Sequence, residues 1–434
     1  MFGLDKYGNG IGLHRARRFF EFAHIPPNHF AERSLVITGS NGKGSTARMC
    51  YAMLQPHVDQ VGCFISPHLV NLTERFEING QQITQAEFEE YKERVLTFNR
   101  DHLPASEFIG AFELLFYIAL LWFYDRDVDY IVWEAGIGGR YDPTRMLQAP
   151  ISALTSIDLE HTELLGNTKE LIAYDKLDVT RAGGASVISL SIDSGLLERI
   201  RAFGAVAGKQ FHILADRYSI QSIDQHTIHQ QIMIQSTDPQ QDNFVLQIPL
   251  LGQHQAENVI TAFETTRLFL ARHQQALSVE AANQALQGIQ WAGRMEQIAT
   301  DPTIWIDVGH TPNALDRVIT EFLSLYKPSE VVVVYGVSHN KNIEAITQRI
   351  EQNFETVILT QAYKNGMPVE ALAATFVQSE KIIAQYPTIE QAVQSARDYA
   401  IQNDKVVIVL GGLFVAIEFK TALHGGDPQA LNFF

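Results

Sequence analysis

The sequence predicts an α/β protein of two domains, each built on a mostly parallel sheet with crossover helices. Three observations predict it. The chain has 434 residues, long for a single hydrophobic core. Short runs rich in β-branched residues alternate with helical stretches, as strands joined by crossover helices do. The alternation stops near residue 290 and restarts at about residue 303.

Residues 34–38 (SLVIT) are a β-rich run that enters the glycine-rich turn GSNGKGS, and a helix follows from about Thr46. Residues 61–66 read as the next strand, 84–99 as a charged amphipathic helix and 107–124 as a buried one. Residues 129–135 and 151–157 are apolar and β-branched, the pattern of parallel strands covered on both faces. The alternation continues through a strand at 186–190 and a helix at 194–202. From 211 to 251 the character changes. Polar-alternating runs at 227–234 and 243–248 predict antiparallel hairpins, a small β insertion in the first domain, before helices near 256–271 and 279–286. The first domain is expected over 1–290, a linker over 291–299 and the second, smaller domain over 300–434. In the latter, strands are expected at 303–307, 330–335, 356–360 and 405–410, and helices from about Asn313 and at 343–352 and 389–402.

With 46% hydrophobic and 19% charged residues the composition is that of a globular enzyme. A formal net charge of −16 argues against nucleic-acid or anionic-membrane partners, whose surfaces call for a surplus of Lys and Arg. Cys50 and Cys63 lie in core-like segments and form neither a disulfide framework nor a metal spacing, which fits a reducing compartment. Residues 1–10 lack the apolar run of a signal peptide, and the most apolar stretch, 114–124, is too short to span a bilayer. A cytoplasmic location is expected. Nothing in the sequence demands a dimer, so a monomer is expected as well.

The sharpest local signal is the turn itself. Gly39, Ser40, Asn41, Gly42, Lys43, Gly44, Ser45 and Thr46 stand between a strand and a helix. Glycines let backbone amides close around a polyphosphate, the helix N-terminus adds its dipole, and Lys43 supplies a point charge. The standard pattern is not kept, because Gly44 sits where Ser or Thr should follow the lysine.

The variant TGSNGKGST resembles the nucleotide loop of the Mur ligase superfamily, in particular its folylpolyglutamate and dihydrofolate synthase branch. Further motifs stand in that family's order: SPHL at 66–69, ERFEING at 74–80, EAGIGGRYDPT at 134–144 and EHTELLGNT at 160–168. AYDK ending at Lys176, GQHQAEN at 252–258, WAGRME at 291–296, DVGHTP at 307–312 and VLGGLF at 409–414 complete the series. The resemblance covers nearly the whole chain. It implies a P-loop-type ATPase domain followed by a Rossmann-like ligase domain.

It also implies an ATP-dependent amide ligase that phosphorylates a small carboxylic acid and couples the acyl phosphate to an amino acid. ATP would lie on residues 39–46 with Asn258 near its base or ribose. Arg294 resembles the residue that reaches the phosphates when the domains close, and Asp307 would meet the ribose. Two Mg²⁺ ions are implied, with Ser45, Ser66, Glu134 and His161 as ligands. Lys176 stands where the family's lysine is carbamylated, which turns a cation into a carboxylate-like group. Lys43, His161, Lys176 and His310 would be the catalytic set, and Arg75 and His310 would touch substrate.

The chain departs from the family pattern chiefly in the second domain. The usual DGAHNP reads DVGHTP, so Thr311 replaces an asparagine; a TGS signature has become Leu410-Gly411-Gly412; and the acid of the GxxxDKD run is lost at 336–342. Two readings follow: a pterin or folate acid joined to glutamate, or a diverged ligase taking another acid, another amine or both. A small-molecule kinase would share the loop without needing His310 and Arg294. Residues 108–113 could line a pterin pocket or belong to the core, and His14, Arg15, Arg17 and Arg18 could meet an acidic substrate or form a charged helix face.

Overall fold

A computed structural model describes residues 10–226, 229–239, 242–289, 292–339 and 341–431. The parts of the sequence reading that fall on residues 1–9, Thr227, Trp291 and Asn340 lie outside the described residues. The described residues fall into two compact units. The first takes the chain up to Ile289, and the second takes residue 292 onward together with Leu69–Asn71 and His226.

In chain order the first unit holds α1 (Leu13–Phe22), β1 (Ser34–Thr38), α2 (Lys43–Leu54), β2 (Val61–Phe64), β3 (Phe76–Ile78) and β4 (Gln81–Gln82). Next come α3 (Gln85–Asp101), α4 (Ala111–Asp125), β5 (Tyr130–Glu134), β6 (Ile151–Leu154), α5 (Thr162–Leu165) and α6 (Lys169–Leu177). It ends with β7 (Ala185–Ile188), α7 (Ser194–Ala207), β8 (Gln210–Ile213), β9 (Tyr218–His226), β10 (His229–Ser236), β11 (Phe244–Ile248), α8 (Gln253–Arg272) and α9 (Val279–Leu286).

Eight strands form one sheet in the order β4-β3-β2-β5-β1-β6-β7-β8. All neighbours from β2 to β8 run parallel, and β3 and β4 form an antiparallel edge. Strand β1 is central, and all five of its residues are buried. The β11-β10-β9 sheet is the insertion, with β10 and β11 antiparallel.

Local chemistry sets the boundaries. Thr84 and Glu87 form a capping box that starts α3. Helix α4 is apolar on every side and correspondingly buried all round. It begins at Ala111, later than the run from 107 suggested, where the Glu113 carboxylate takes the Gly110 N–H at 3.0 Å. Strand β6 ends at Leu154 and not at 157, because Thr155 and Ser156 turn onto the glycine loop after β1. Aromatic residues fill the core beside β5. Phe64, Phe116 and Phe123 surround Trp133, whose indole N–H donates to the Ser34 hydroxyl at 3.0 Å.

The second unit holds β12 (Glu296–Thr300), β13 (Thr303–Ile306), α10 (Pro312–Leu325), β14 (Val331–Tyr335), α11 (Ile343–Asn353) and β15 (Val357–Thr360). It continues with α12 (Val369–Ala373), β16 (Ile382–Tyr386), α13 (Ile389–Asn403), β17 (Val406–Leu410) and α14 (Leu413–Leu423). The sheet order is β12-β13-β17-β14-β15-β16. Residues 296–299, read as the end of a linker, instead open β12, which pairs antiparallel with β13. The other neighbours are parallel. Among the described residues no helix is long and apolar enough to cross a membrane.

Candidate active site

The site in the first unit is built at the C-terminal end of β1. Gly39 leaves the strand at φ +143°, and a Cβ there would lie 2.0 Å from the Thr155 hydroxyl, so only glycine fits. The turn is then fixed from the β6 side. Ser40 N–H donates to the Ser156 carbonyl at 2.9 Å, Asn41 N–H to the Ser156 hydroxyl at 2.8 Å, and the Asn41 amide to Asp158 at 2.8 Å. Thr46 N–H donates to the Gly42 carbonyl at 3.0 Å. The amides of Lys43 to Ser45 precede that ladder and have no i−4 partner, which makes this helix start a place for anionic oxygens.

Two lysines converge on one carbonyl. Lys43 Nζ donates to Gly39 O at 2.9 Å and to Ser40 O at 3.1 Å, while Lys176 Nζ, from α6, donates to the same Gly39 O at 3.0 Å. Lys176 is buried and pairs with Glu160 at 2.9 Å. Burial, and then the neighbouring Lys43 ammonium, hold the Lys176 pKa below that of an ordinary lysine. Burial would raise the Glu160 carboxyl, but the Lys176 and Lys43 cations and the Ser40 hydroxyl together keep it below the usual range.

Glu134 closes β5 and is buried, and its carboxylate accepts the Ser66 N–H at 2.9 Å. Behind it, Arg75 Nε donates to His68 Nδ1 at 2.8 Å. Burial, followed by the Arg75 charge, lowers His68 to about 4, so the imidazole is a neutral acceptor. Burial brings Arg75 down to about 10 against the opposing pull of Glu134. Arg75 is therefore held within the protein, beside His68 and Glu134. His161 has a left-handed backbone (φ +46°) at the start of α5, directly after Glu160. Among the described residues no three His, Cys, Asp or Glu side chains come together as a ready metal cage. The donors here are a hydroxyl at Ser66 and a carboxylate at Glu134, held together by the Ser66–Glu134 bond. That set suits Mg²⁺, which keeps waters and takes one or two carboxylates plus phosphate oxygens.

The first turn of α8 lies against the loop. Gln255 Nε2 donates to the Ser45 hydroxyl at 3.4 Å and Asn258 Nδ2 to Gln255 Oε1 at 3.1 Å; a Cβ on Gly42 would meet Asn258 Oδ1 at 2.5 Å. Asn258 thus borders the loop.

In the second unit, Asp307 ends β13 buried, its carboxylate accepting the N–H of Met295 at 2.9 Å and of Gly309 at 2.7 Å. Burial raises its pKa, and Arg294 opposes the rise. His310 Nδ1 lies 3.3 Å from the Val308 carbonyl; a carbonyl can only accept, so the proton is on Nδ1 and Nε2 carries the lone pair. Burial, then Lys341 and Arg294, lower the His310 pKa. A Cβ on Gly412 would lie 3.4 Å from His310 Cβ, and one on Gly411 (φ +118°) would strike the Gly336 carbonyl at 1.9 Å. The ends of β13, β14 and β17 therefore meet at His310. Thr311 caps α10 through Ala314 N–H at 3.2 Å, which gives the residue replacing the family's asparagine a helix-capping task.

The sequence reading missed several participants. Glu160 lay inside a motif but carried no sign that it would pair with Lys176, and His68 none that it would face Arg75. Arg15 is not a substrate contact: it is fully buried and bonded to Glu113 at 3.0 and 2.9 Å. His14 lies 3.0 Å and Arg18 3.6 Å from Glu107.

Comparison with known proteins points to one superfamily. Residues 111–266 match the Mur ligase middle domain and residues 293–413 the Mur ligase, glutamate ligase domain. A probable bifunctional folylpolyglutamate synthase/dihydropteroate synthase of Halobacterium salinarum is 31% identical over 89% of this chain and 46% of its own length. The folylpolyglutamate synthase of Lacticaseibacillus casei is 25% identical over 94% of both chains. The chain spans about half the length of the Halobacterium protein and of a similar one from Haloferax volcanii (46% and 49%). A solved folylpolyglutamate synthase of Thermotoga maritima has the same fold, with TM-score 0.81, 22% identity and coverage of 98% of this chain and 95% of that one. The chain belongs to the Mur ligase superfamily, in its folylpolyglutamate and dihydrofolate synthase branch.

Proposed function

We propose that this protein is an ATP-dependent ligase that joins a small carboxylic acid to an amino acid and releases ADP and phosphate. The observation that carries the reading is the convergence of Lys43 and Lys176 on the Gly39 carbonyl, at a helix start whose amides look for anionic oxygens. The acid is a pterin or folate and the amine glutamate, as in the names of its relatives.

The chemistry fits those groups. A carboxylate oxygen attacks the γ-phosphorus, ADP leaves, and an acyl phosphate forms. The amine then attacks the acyl carbon, and the tetrahedral intermediate expels phosphate as the amide forms. Residues 39–46 with Lys43 hold the polyphosphate and stabilise the charge that builds on the transferring group. Asn258 borders the base or ribose. Ser45, Ser66, Glu134 and His161 would hold Mg²⁺, which supplies neutralisation of the phosphoryl oxygens. Arg75 lies beside the buried Glu134 and borders the acid substrate. His310 Nε2 is free to take a proton from the amine. In this reading residues 1–290 bind ATP and residues 300–434 present the amine.

Lys176 is suited to carbamylation, since the amine must be neutral to attack CO₂ and burial beside Lys43 lowers its pKa from that of an ordinary lysine. The product would place negative charge beside Lys43.

A second reading, a ligase for another acid or amine, is favoured by one observation. Leu410 and Gly412 stand where the family's TGS has hydroxyls, and Gly412 lies beside His310. Both readings are tested by ADP release from Mg-ATP with dihydropteroate or tetrahydrofolate and a panel of amines. Release that needs a pterin acid and glutamate supports the first. Silence with every pterin, and turnover with another acid, supports the second.

A further inference from the structure

A buried carboxylate in the second unit has no part in the chemistry above. Glu418 lies in α14, the helix that starts straight after Gly411 and Gly412, and it is fully buried. Its two oxygens accept two consecutive backbone amides of the loop after β15: Tyr363 N–H at 2.7 Å and Lys364 N–H at 3.0 Å. That loop is in turn bonded to the loop after β14. Met367 N–H donates to the Val337 carbonyl at 2.8 Å, His339 N–H to the Asn365 carbonyl at 3.3 Å, and Ser338 and Gly366 form an isolated bridge. The β14 loop ends in Lys341, close enough to His310 to lower its pKa, and Gly336 at its start is packed against Gly411.

We infer that Glu418 is a positioning residue for the amine subsite, setting through the paired loops 361–367 and 336–339 where Lys341 stands relative to His310. The inference rests on the ligase reading for what the subsite binds, but not for the loop geometry itself. An ionised carboxylate suits this task because it offers acceptors to both amides at once. A protonated one turns an O–H toward an N–H and loses a bond. Burial lifts Glu418 to about 7, with the two amides pulling the other way and Glu390 of α13 adding to the rise. The groups that face it are Glu390, Tyr363, whose hydroxyl donates to Glu390 at 2.8 Å, and the neutral Gln429 beyond. The anchor is therefore tight above neutrality and loosens as the carboxyl gains its proton.

The test has two arms. In the first, the KM for the amine, the KM for ATP and kcat are measured from pH 6 to 8 for the wild type and Glu418→Gln, whose amide can accept from only one N–H. The variant should raise the amine KM about tenfold at pH 8, leave the ATP KM unchanged, and lose the wild type's rise in amine KM below about pH 7. Glu418→Asp should recover part of the pH dependence. In the second arm, amide hydrogen exchange of the wild-type chain is followed across the same range. Protection of Tyr363 and Lys364, corrected for intrinsic exchange, should fall as pH drops through 7, and it should be lost in Glu418→Gln while the sheet amides keep theirs. Unchanged protection of that loop in the variant overturns the positioning role whether or not the enzyme turns over. If no acid or amine elicits ADP release but the exchange pattern holds, the ligase reading fails and the loop anchor stands.

Discussion

Removing the guanidinium of Arg15 should cost more stability than any other single change to the charged residues of α1. Arg15 has no exposed surface, and its Nε and one terminal nitrogen meet the two oxygens of Glu113 at 3.0 and 2.9 Å. Glu113 also takes the Gly110 N–H at 3.0 Å and the Tyr117 hydroxyl at 3.2 Å, among Phe19 and the apolar length of α4. In Arg15→Leu the carboxylate stays buried without its cation, a loss of about 3 to 5 kcal/mol. That is a large part of the roughly 5 to 15 kcal/mol of a typical domain. Arg15→Leu with Glu113→Leu removes the stranded charge and gives up mainly the α4 cap and the tyrosine bond, so it should lose only about 2 kcal/mol. Urea unfolding of the wild type, both singles and the double, read by circular dichroism and tryptophan fluorescence, gives the coupling energy directly. A single variant within 1 kcal/mol of the wild type, or a double that loses the sum of both singles, would refute the account.

Other outcomes follow from the same structure. Lys43→Ala should abolish ADP release while leaving the fold intact by circular dichroism, and wild-type turnover would remove the loop from the site. His161→Ala should cost on the order of 10²-fold in kcat and shift the Mg²⁺ titration, whereas an unchanged titration counts against a ligand role. Bicarbonate should add the mass of one CO₂ to the wild type at Lys176 and not to Lys176→Arg, as intact-mass and peptide analysis would read. For folding stability, Glu418 is raised from 4.5 to about 7, so its stabilisation is complete below pH 4.5 and lost as pH climbs through 7, about 3 kcal/mol at most. The melting temperature of the wild type should therefore fall relative to Glu418→Gln across that range; parallel curves would contradict the shift.

Much of the fold was legible because buried parallel strands leave a plain trace. SLVIT and VVVVY are continuous apolar runs, and each became a fully buried strand. What stayed hidden lies at edges and in uniform stretches. Strand β16 alternates half-buried and exposed residues at the sheet edge, and β12 is half-buried and contains Glu296 and Gln297, so neither stands out from loop sequence. Helix α14 is apolar nearly throughout and shows no 3.6-residue stripe. In the site, the glycine loop announces itself because its chemistry is local in sequence. The pairs Lys176–Glu160, Arg75–His68 and Glu418 with the β15 loop join residues from different elements or loops, and a side chain's type does not disclose its partner.

The shared Gly39 carbonyl has a consequence for how the protein responds to its nucleotide. Two ammonium groups crowd one dipole, with Glu160 and Asp175 opposing them, so the loop is a place of positive potential. A polyphosphate entering there discharges that repulsion, and the energy released counts toward the native state as well as toward binding. Ligand occupancy then acts as a thermodynamic brace, worth about 2.7 kcal/mol at a hundredfold excess over Kd. Under the proposed function, the abundance of the folded chain would follow the ATP level of its cell.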